Sequence, residues 1–297
     1  MLAVMQLPHT TKQPPDIGQA VQLACRKIWG GNAQTAMPIS MPGLAGVLHA
    51  IPKDSHVGGD LYYLSACGAG IMSRMCIADV RGHGEGVADF ATWLEQVFSA
   101  HMNRHSPSGV LREVNQRAVK RGLCLMTTAL CFSYNSLNGR LVFCNAGHPP
   151  LRICRAGSDR WEALEVHARD KSTPWNVPLA VTAEARYSVG KARLQPGDRL
   201  LIHTDGLTEA HDAKGRQLAE TLWKAGRFPD SSAGPGDIAS GLLKVLRDHL
   251  ANPAEADDDV TFTVLEVLPF QRGNRVMAYF RNNFGKEARA NKRAGQA

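Results

Sequence analysis

A chain of 297 residues, 44% of them hydrophobic, is long enough to bury a sizeable core as one large domain or two small ones. Its formal charge is +7, but the segment 271–297 holds seven Lys or Arg against the single acid Glu287, so the body is close to neutral, which argues against a nucleic-acid-binding face there. Seven scattered cysteines without a CxxC pair suit reduced thiols in a cytoplasm better than a disulfide framework or a zinc site, and no apolar run approaches the roughly 18 to 20 residues of a membrane span.

In chain order, residues 1–43 are rich in turn formers and read as an N-terminal extension with one helix over 16–29, capped by Asp16 directly after Pro15. A domain over 44–268 follows. Strands are predicted at 44–50, 61–64, 71–78, 129–134, 141–145, 151–154, 187–194, 199–204 and 260–267, each bounded by Gly, Pro, Asn or Asp. Asn138-Gly139 marks a hairpin between two of them. Helical periodicity appears over 86–101, 109–121 and 237–250, where Ile238, Leu242, Val245, Leu246 and Leu250 share a face. Short turns between successive strands imply antiparallel pairing with helices packed outside, an α+β class. The weakly patterned segment 158–178 reads as a loop or flap, and 269–297 as a basic, unstructured tail.

Four aspartates fall at ends of predicted strands: Asp60 and Asp258 precede strands, Asp79 and Asp205 follow them. In an antiparallel sheet the start of one strand lies beside the end of its neighbour, so the four carboxylates can gather at one edge. Such a gathering is costly unless hard cations such as Mg²⁺ or Mn²⁺ neutralise it. Taken singly, each aspartate is also an ordinary turn residue. The neighbours Gly58-Gly59, Gly82, Gly84 and Gly206 let the backbone approach a ligand closely.

With these residues in place the sequence resembles the metal-dependent protein phosphatases of the type 2C class, in the bacterial branch of the sporulation stage II phosphatase and the stress-response sigma-factor regulators. The resemblance rests on five ordered runs: 57–60 (VGGD), 77–84 (IADVRGHG), 145–150 (NAGHPP), 196–210 (PGDRLLIHTDGLTEA) and 258–261 (DDVT). It implies two packed antiparallel sheets flanked by helices, an αββα sandwich, with a two-metal centre in a cleft at one edge. It implies Asp79 as bridging ligand, the carbonyl of Val80 beside it, Asp205 and Asp258 as further ligands and Asp60 as a direct or water-mediated one. Two divalent cations about 3.5–4 Å apart would acidify a shared water for in-line attack on a phosphoserine or phosphothreonine, with no protein nucleophile.

His83 is the nearest candidate in sequence for protonating the leaving alkoxide, against a reading as a turn or cap residue. Arg81 is a candidate phosphate-binding cation, against a plain surface arginine. His148 reads either as a neighbour of the site or as a structural turn residue, and Thr204 and Thr208 as strand-end and helix-start residues with supporting roles open. Asp257 and Asp259 read as solvated acids or as additional ligands. Tyr62 and Tyr63 stand where this branch often carries an acid. An active phosphoprotein phosphatase is the first reading. The alternatives are an inactive pseudophosphatase serving as a binding module and a hydrolase of small phosphoesters. The resemblance also implies a phosphorylated anti-anti-sigma-type protein as substrate; the basic tail, with Tyr279, Phe280 and Phe284, could dock on an acidic partner or else simply solubilise the chain.

Overall fold

The computed structural model describes residues 27–31, 34–53, 59–66, 71–82, 85–102, 106–122, 125–166, 174–224, 228–250 and 258–269. Among the described residues, twelve strands form two six-stranded antiparallel sheets. The first runs, in spatial order, β1 (Lys27–Gly31), β4 (Asp60–Ala66), β5 (Met72–Val80), β6 (Thr127–Asn135), β7 (Arg140–Ala146) and β10 (Val189–Arg193). The second runs β2 (Thr35–Met41), β3 (Leu44–Ile51), β12 (Val260–Val267), β11 (Arg199–His203), β8 (Arg152–Cys154) and β9 (Trp161–Ala163). Helices α1 (Glu85–His101) and α2 (Pro107–Lys120) pack on the first sheet, α4 (Pro235–His249) on the second, and a five-residue α3 (Asp205–Glu209) follows β11. This is the αββα sandwich expected from the sequence.

The period-two geometry of strands sorts each sheet's residues to two faces. In β4 and β5, Tyr62, Leu64, Met75 and Ile77 enter the layer between the sheets, with Leu130 and Phe132 of β6 and Leu44, Leu48, Leu200, Ile202 and Leu265 from the opposing sheet. The alternate residues Leu61, Tyr63, Cys76 and Ala78 meet Phe90, Leu94, Phe98, Leu111 and Val114 of α1 and α2. On the far side, Leu201, Phe262 and Val264 meet Ile238, Leu242 and Leu246 of α4. Each fully buried Leu, Ile or Phe contributes about 2 kcal/mol to this packing. Cys76, Cys131 and Cys144 stand opposite one another on β5, β6 and β7, all buried thiols on the helix side of the sheet.

Helix α2 begins where the sequence places punctuation: Ser106 caps it, its Oγ accepting from Gly109 N at 3.3 Å, and Pro107 occupies the first turn. Asn115 of α2 holds the segment leading into β10, accepting from Ala180 N at 2.9 Å and donating to Thr182 O at 2.8 Å.

The sandwich reaches further toward the N-terminus than the sequence suggested. β1 and β2 lie inside the stretch read as an extension, and both belong to the sheets. The helix expected over 16–29 falls outside the described residues except for its last three, which are strand, fixed by pairing of Trp29 with Tyr63. Pro38 sits in the middle of β2; a strand at the sheet edge tolerates a residue without an N–H. β9, three residues long, lies in the segment read as a loop. The tail beyond 269 is outside the described residues, and among those described no helix is long and apolar enough to cross a membrane.

Candidate metal centre

At one end the apolar layer between the sheets gives way to polar side chains. Asp60 opens β4, Asp79 is the penultimate residue of β5, and the antiparallel register sets them directly opposite each other, with Thr128 of β6 opposite Asp79 in turn. By strand parity these three share the face that carries Tyr62, Ile77 and Leu130 into the inter-sheet layer. Directly opposed residues have Cβ atoms about 4.5–5.5 Å apart, so the Asp60–Asp79 pair is a close like-charge contact when both ionise. The second sheet brings Asp205, the first residue of α3 after β11, and Asp258, two residues before β12. The acids thus converge from two sheets rather than from the edge of one.

Two contacts lock this convergence. Thr204 Oγ1 donates to Asp60 Oδ2 at 2.7 Å, crossing from one sheet to the other. Thr204 in turn is tied to β12, with Thr204 N donating to Thr261 O at 2.9 Å and Thr261 N donating to Thr204 Oγ1 at 3.0 Å. Asp259 accepts from Gly59 N at 2.5 Å and Lys53 N at 2.8 Å. Its carboxylate therefore clamps the approach to Asp60, a role distinct from that of Asp258, whose Oδ1 accepts from Asp259 N at 2.8 Å.

The electrostatics express the crowding. Burial and then the charge of Asp79 hold the Asp60 carboxyl well above the usual carboxylate range. Burial pushes Asp79 up to about 7, followed by the charges of Asp205, Asp258, Asp259 and Glu209. Asp205 is raised by burial and then by Asp258. A divalent cation held among these acids would offset their mutual repulsion and favour the ionised form of each.

The donor set is all oxygen, the chemistry of Mg²⁺ or Mn²⁺ rather than of a softer metal. Gly59 is part of the fit. A Cβ there would collide with the carbonyl oxygen of Val80 and lie 3.5 Å from Asp79 Oδ1, so glycine keeps open the space between these two donors. Gly206 has the same effect beside Asp258, since a Cβ would run into the Asp259 carbonyl. Among the described residues, no group of three His, Cys, Asp or Glu side chains is drawn together tightly enough to enclose a single ion by itself.

Of the other residues singled out in the sequence, Arg81 directly follows Val80 and is exposed, its backbone N donating to Met126 O at 3.0 Å. His83 and Asp257 lie outside the described residues. His148 is both of the things the sequence left open. Its turn is held by Asn145, which accepts from His148 N at 2.8 Å and donates to His148 O at 2.6 Å, while its buried ring places Nδ1 2.8 Å from Thr128 Oγ1, beside Asp79. Burial and then His203 pull its imidazole down to about 3, so it stays neutral. His203, lowered to about 4 by burial, faces Trp223 with ring centroids 6.4 Å apart and directs Nδ1 to Thr204 O at 2.9 Å. Glu209 was missed. It stands four residues after Asp205 on α3, its carboxyl raised by burial and then by Asp205, and i,i+4 spacing was the signal that could have found it.

Face-to-face antiparallel sheets with helices on both outer sides form the PP2C phosphatase fold. That fold is shared with the PP2C phosphatase domain and regulatory fragment of SpoIIE from Bacillus subtilis, at TM-score 0.57 and 18% identity over 80% of this chain and 65% of that one. It is shared also with the RsbU and RsbW domains of Rv1364c from Mycobacterium tuberculosis, at TM-score 0.62 and 20% identity over 80% of this chain and 64% of that one. Residues 72–268 match the Stage II sporulation protein E (SpoIIE) family, and the chain belongs to it. Protein IcfG of Synechocystis sp. (strain ATCC 27184 / PCC 6803 / Kazusa) is 25% identical over 225 residues, 64% of this chain and 34% of that protein; the chain thus spans about a third of the length of this relative.

Proposed function

We propose that the chain is a metal-dependent phosphatase of phosphoserine or phosphothreonine on a partner protein. The observation that carries the reading is the convergence of Asp60 and Asp79 from one sheet with Asp205 and Asp258 from the other, each of the first three with its pKa held above the ordinary carboxylate value. Asp79, Asp205, Asp258 and the Val80 carbonyl would hold the cations, with Asp60 as a direct or water-mediated ligand. A bound pair of Mn²⁺ or Mg²⁺ would supply an acidified water and offset charge on the phosphoryl group. The protein's own part is to hold its oxygens in place through Thr204 and Asp259, and to keep His148 and His203 neutral behind them. Arg81, exposed and next in sequence to Val80, would grip phosphoryl oxygens of an incoming phosphoprotein, and His83 is the candidate proton donor to the leaving alkoxide.

Membership of the SpoIIE family and likeness to a protein that joins RsbU and RsbW domains in one chain support a phosphorylated anti-anti-sigma-type protein as the substrate class. The test compares a phosphorylated protein of that class with a small aryl phosphate, each with Mn²⁺ and with chelator. The expected result is Mn²⁺-dependent release from the protein, reduced by about 10³-fold or more in Asp205→Asn. Turnover of the aryl phosphate alone would assign a small-molecule hydrolase, and turnover of neither would assign a binding module.

A further inference from the structure

We propose that Thr204 is a positioning residue of the metal centre, its hydroxyl fixing Asp60 of one sheet against the ligands carried by the other. The inference rests on the metal-centre reading above.

A threonine hydroxyl has one proton to give and lone pairs to receive. Here Thr261 N occupies the acceptor side at 3.0 Å, and the proton has two oxygens to choose from, Asp60 Oδ2 at 2.7 Å and Thr261 O at 3.3 Å. The bond to Asp60 is the shorter, and it becomes charge-assisted when Asp60 ionises beside a cation, so the hydroxyl is committed to Asp60. Thr204 is fully buried, and no solvent replaces this donor if it is removed. Its position is fixed independently: the main-chain bond to Thr261 O holds it to β12, and β-branching stiffens its side chain.

Sequence neighbours then give the contact its reach. Asp205 is the next residue after Thr204, and Asp258 lies three before Thr261, the residue that Thr204 pairs with. One hydroxyl thus links the anchor points of Asp60, Asp205 and Asp258, across a layer that elsewhere is filled by apolar side chains. Outer hydrogen bonds of this kind tune metal affinity by about 10–100-fold.

The test uses Mn²⁺ titration calorimetry and thermal unfolding in chelator for the full chain, Thr204→Val and Thr204→Ser. Valine is isosteric with threonine and lacks the hydroxyl; serine keeps the hydroxyl and lacks the methyl. Thr204→Val should weaken Mn²⁺ binding by about tenfold or more, and Thr204→Ser should restore it to within about threefold of the parent. A side chain that merely fills space gives the opposite ranking. If Thr204→Val does not fold, Thr204→Cys, whose thiol is a poor donor, carries the same expectation. Parent-like affinity in the Val or Cys variant, with the parent binding Mn²⁺, overturns the positioning role and leaves the metal centre standing. Failure of the parent to bind any Mn²⁺ removes both.

Discussion

Strand β11 has an aspartate near each end, and the two are treated in opposite ways. Asp198, just before the strand, is 1% exposed and accepts from Arg155 Nη1 at 2.8 Å, Gln195 N at 2.9 Å and Ala156 N at 3.0 Å. Its charge is compensated by the chain itself. Asp205, just past the strand, is half-buried and meets Asp258, another acid, as its strongest charged influence. The same strand therefore ends in a self-sufficient carboxylate on one side and in carboxylates that need an outside partner on the other. Burial of an acid is thus a poor indicator of function by itself; what surrounds the acid separates a structural carboxylate from one kept for a cation.

Substituting the two kinds of carboxylate should separate them. Asp198→Asn puts an amide NH₂ against donors and removes the charge opposite Arg155, so it should cost about 3 kcal/mol in denaturant unfolding while the folded variant keeps its Mn²⁺ affinity. Loss of metal binding without loss of stability would erase the contrast. Asp79→Asn should do the reverse, and its effect should follow pH. Folded Asp79 keeps its proton to about 7 in metal-free protein, whereas the unfolded chain releases it near 3.8. Between those values the native state binds more protons, so the parent loses stability as pH rises. The gain in melting temperature of Asp79→Asn over the parent in chelator should grow from about pH 4 to about pH 7 and then level off, to several degrees. A pH-independent difference would mean that Asp79 is not crowded. The smallest effect belongs to a pair that is neither buried nor crowded: Lys244 and Asp248, four residues apart on the exposed face of α4. Lys244→Ala should change stability by less than about 0.5 kcal/mol.

Much of this contrast was legible in the sequence. Aspartates that interrupt apolar strand runs beside glycine are visible without a structure, and the strand ends place them together. Three things were not visible. Asp258 and Asp259 are chemically identical neighbours, and only the Gly59 and Lys53 amides that Asp259 accepts from tell them apart. β1 and β2 read as helix end and turns because Gly30, Gly31 and Pro38 are poor strand formers; their pairing partners β4 and β3 override local preference. The linkage through Thr204 depends on two sheets meeting face to face, which no pattern along one strand can report.

The row of Cys76, Cys131 and Cys144 across β5, β6 and β7 has a chemical consequence. Burial pushes the Cys131 and Cys144 thiols up, so neither offers the thiolate that alkylating or oxidising reagents attack. A reagent reaches them only when helices α1 and α2 lift away or the whole sheet opens. The rate at which these sulfurs become labelled is therefore a clock for the lifetime of the native fold.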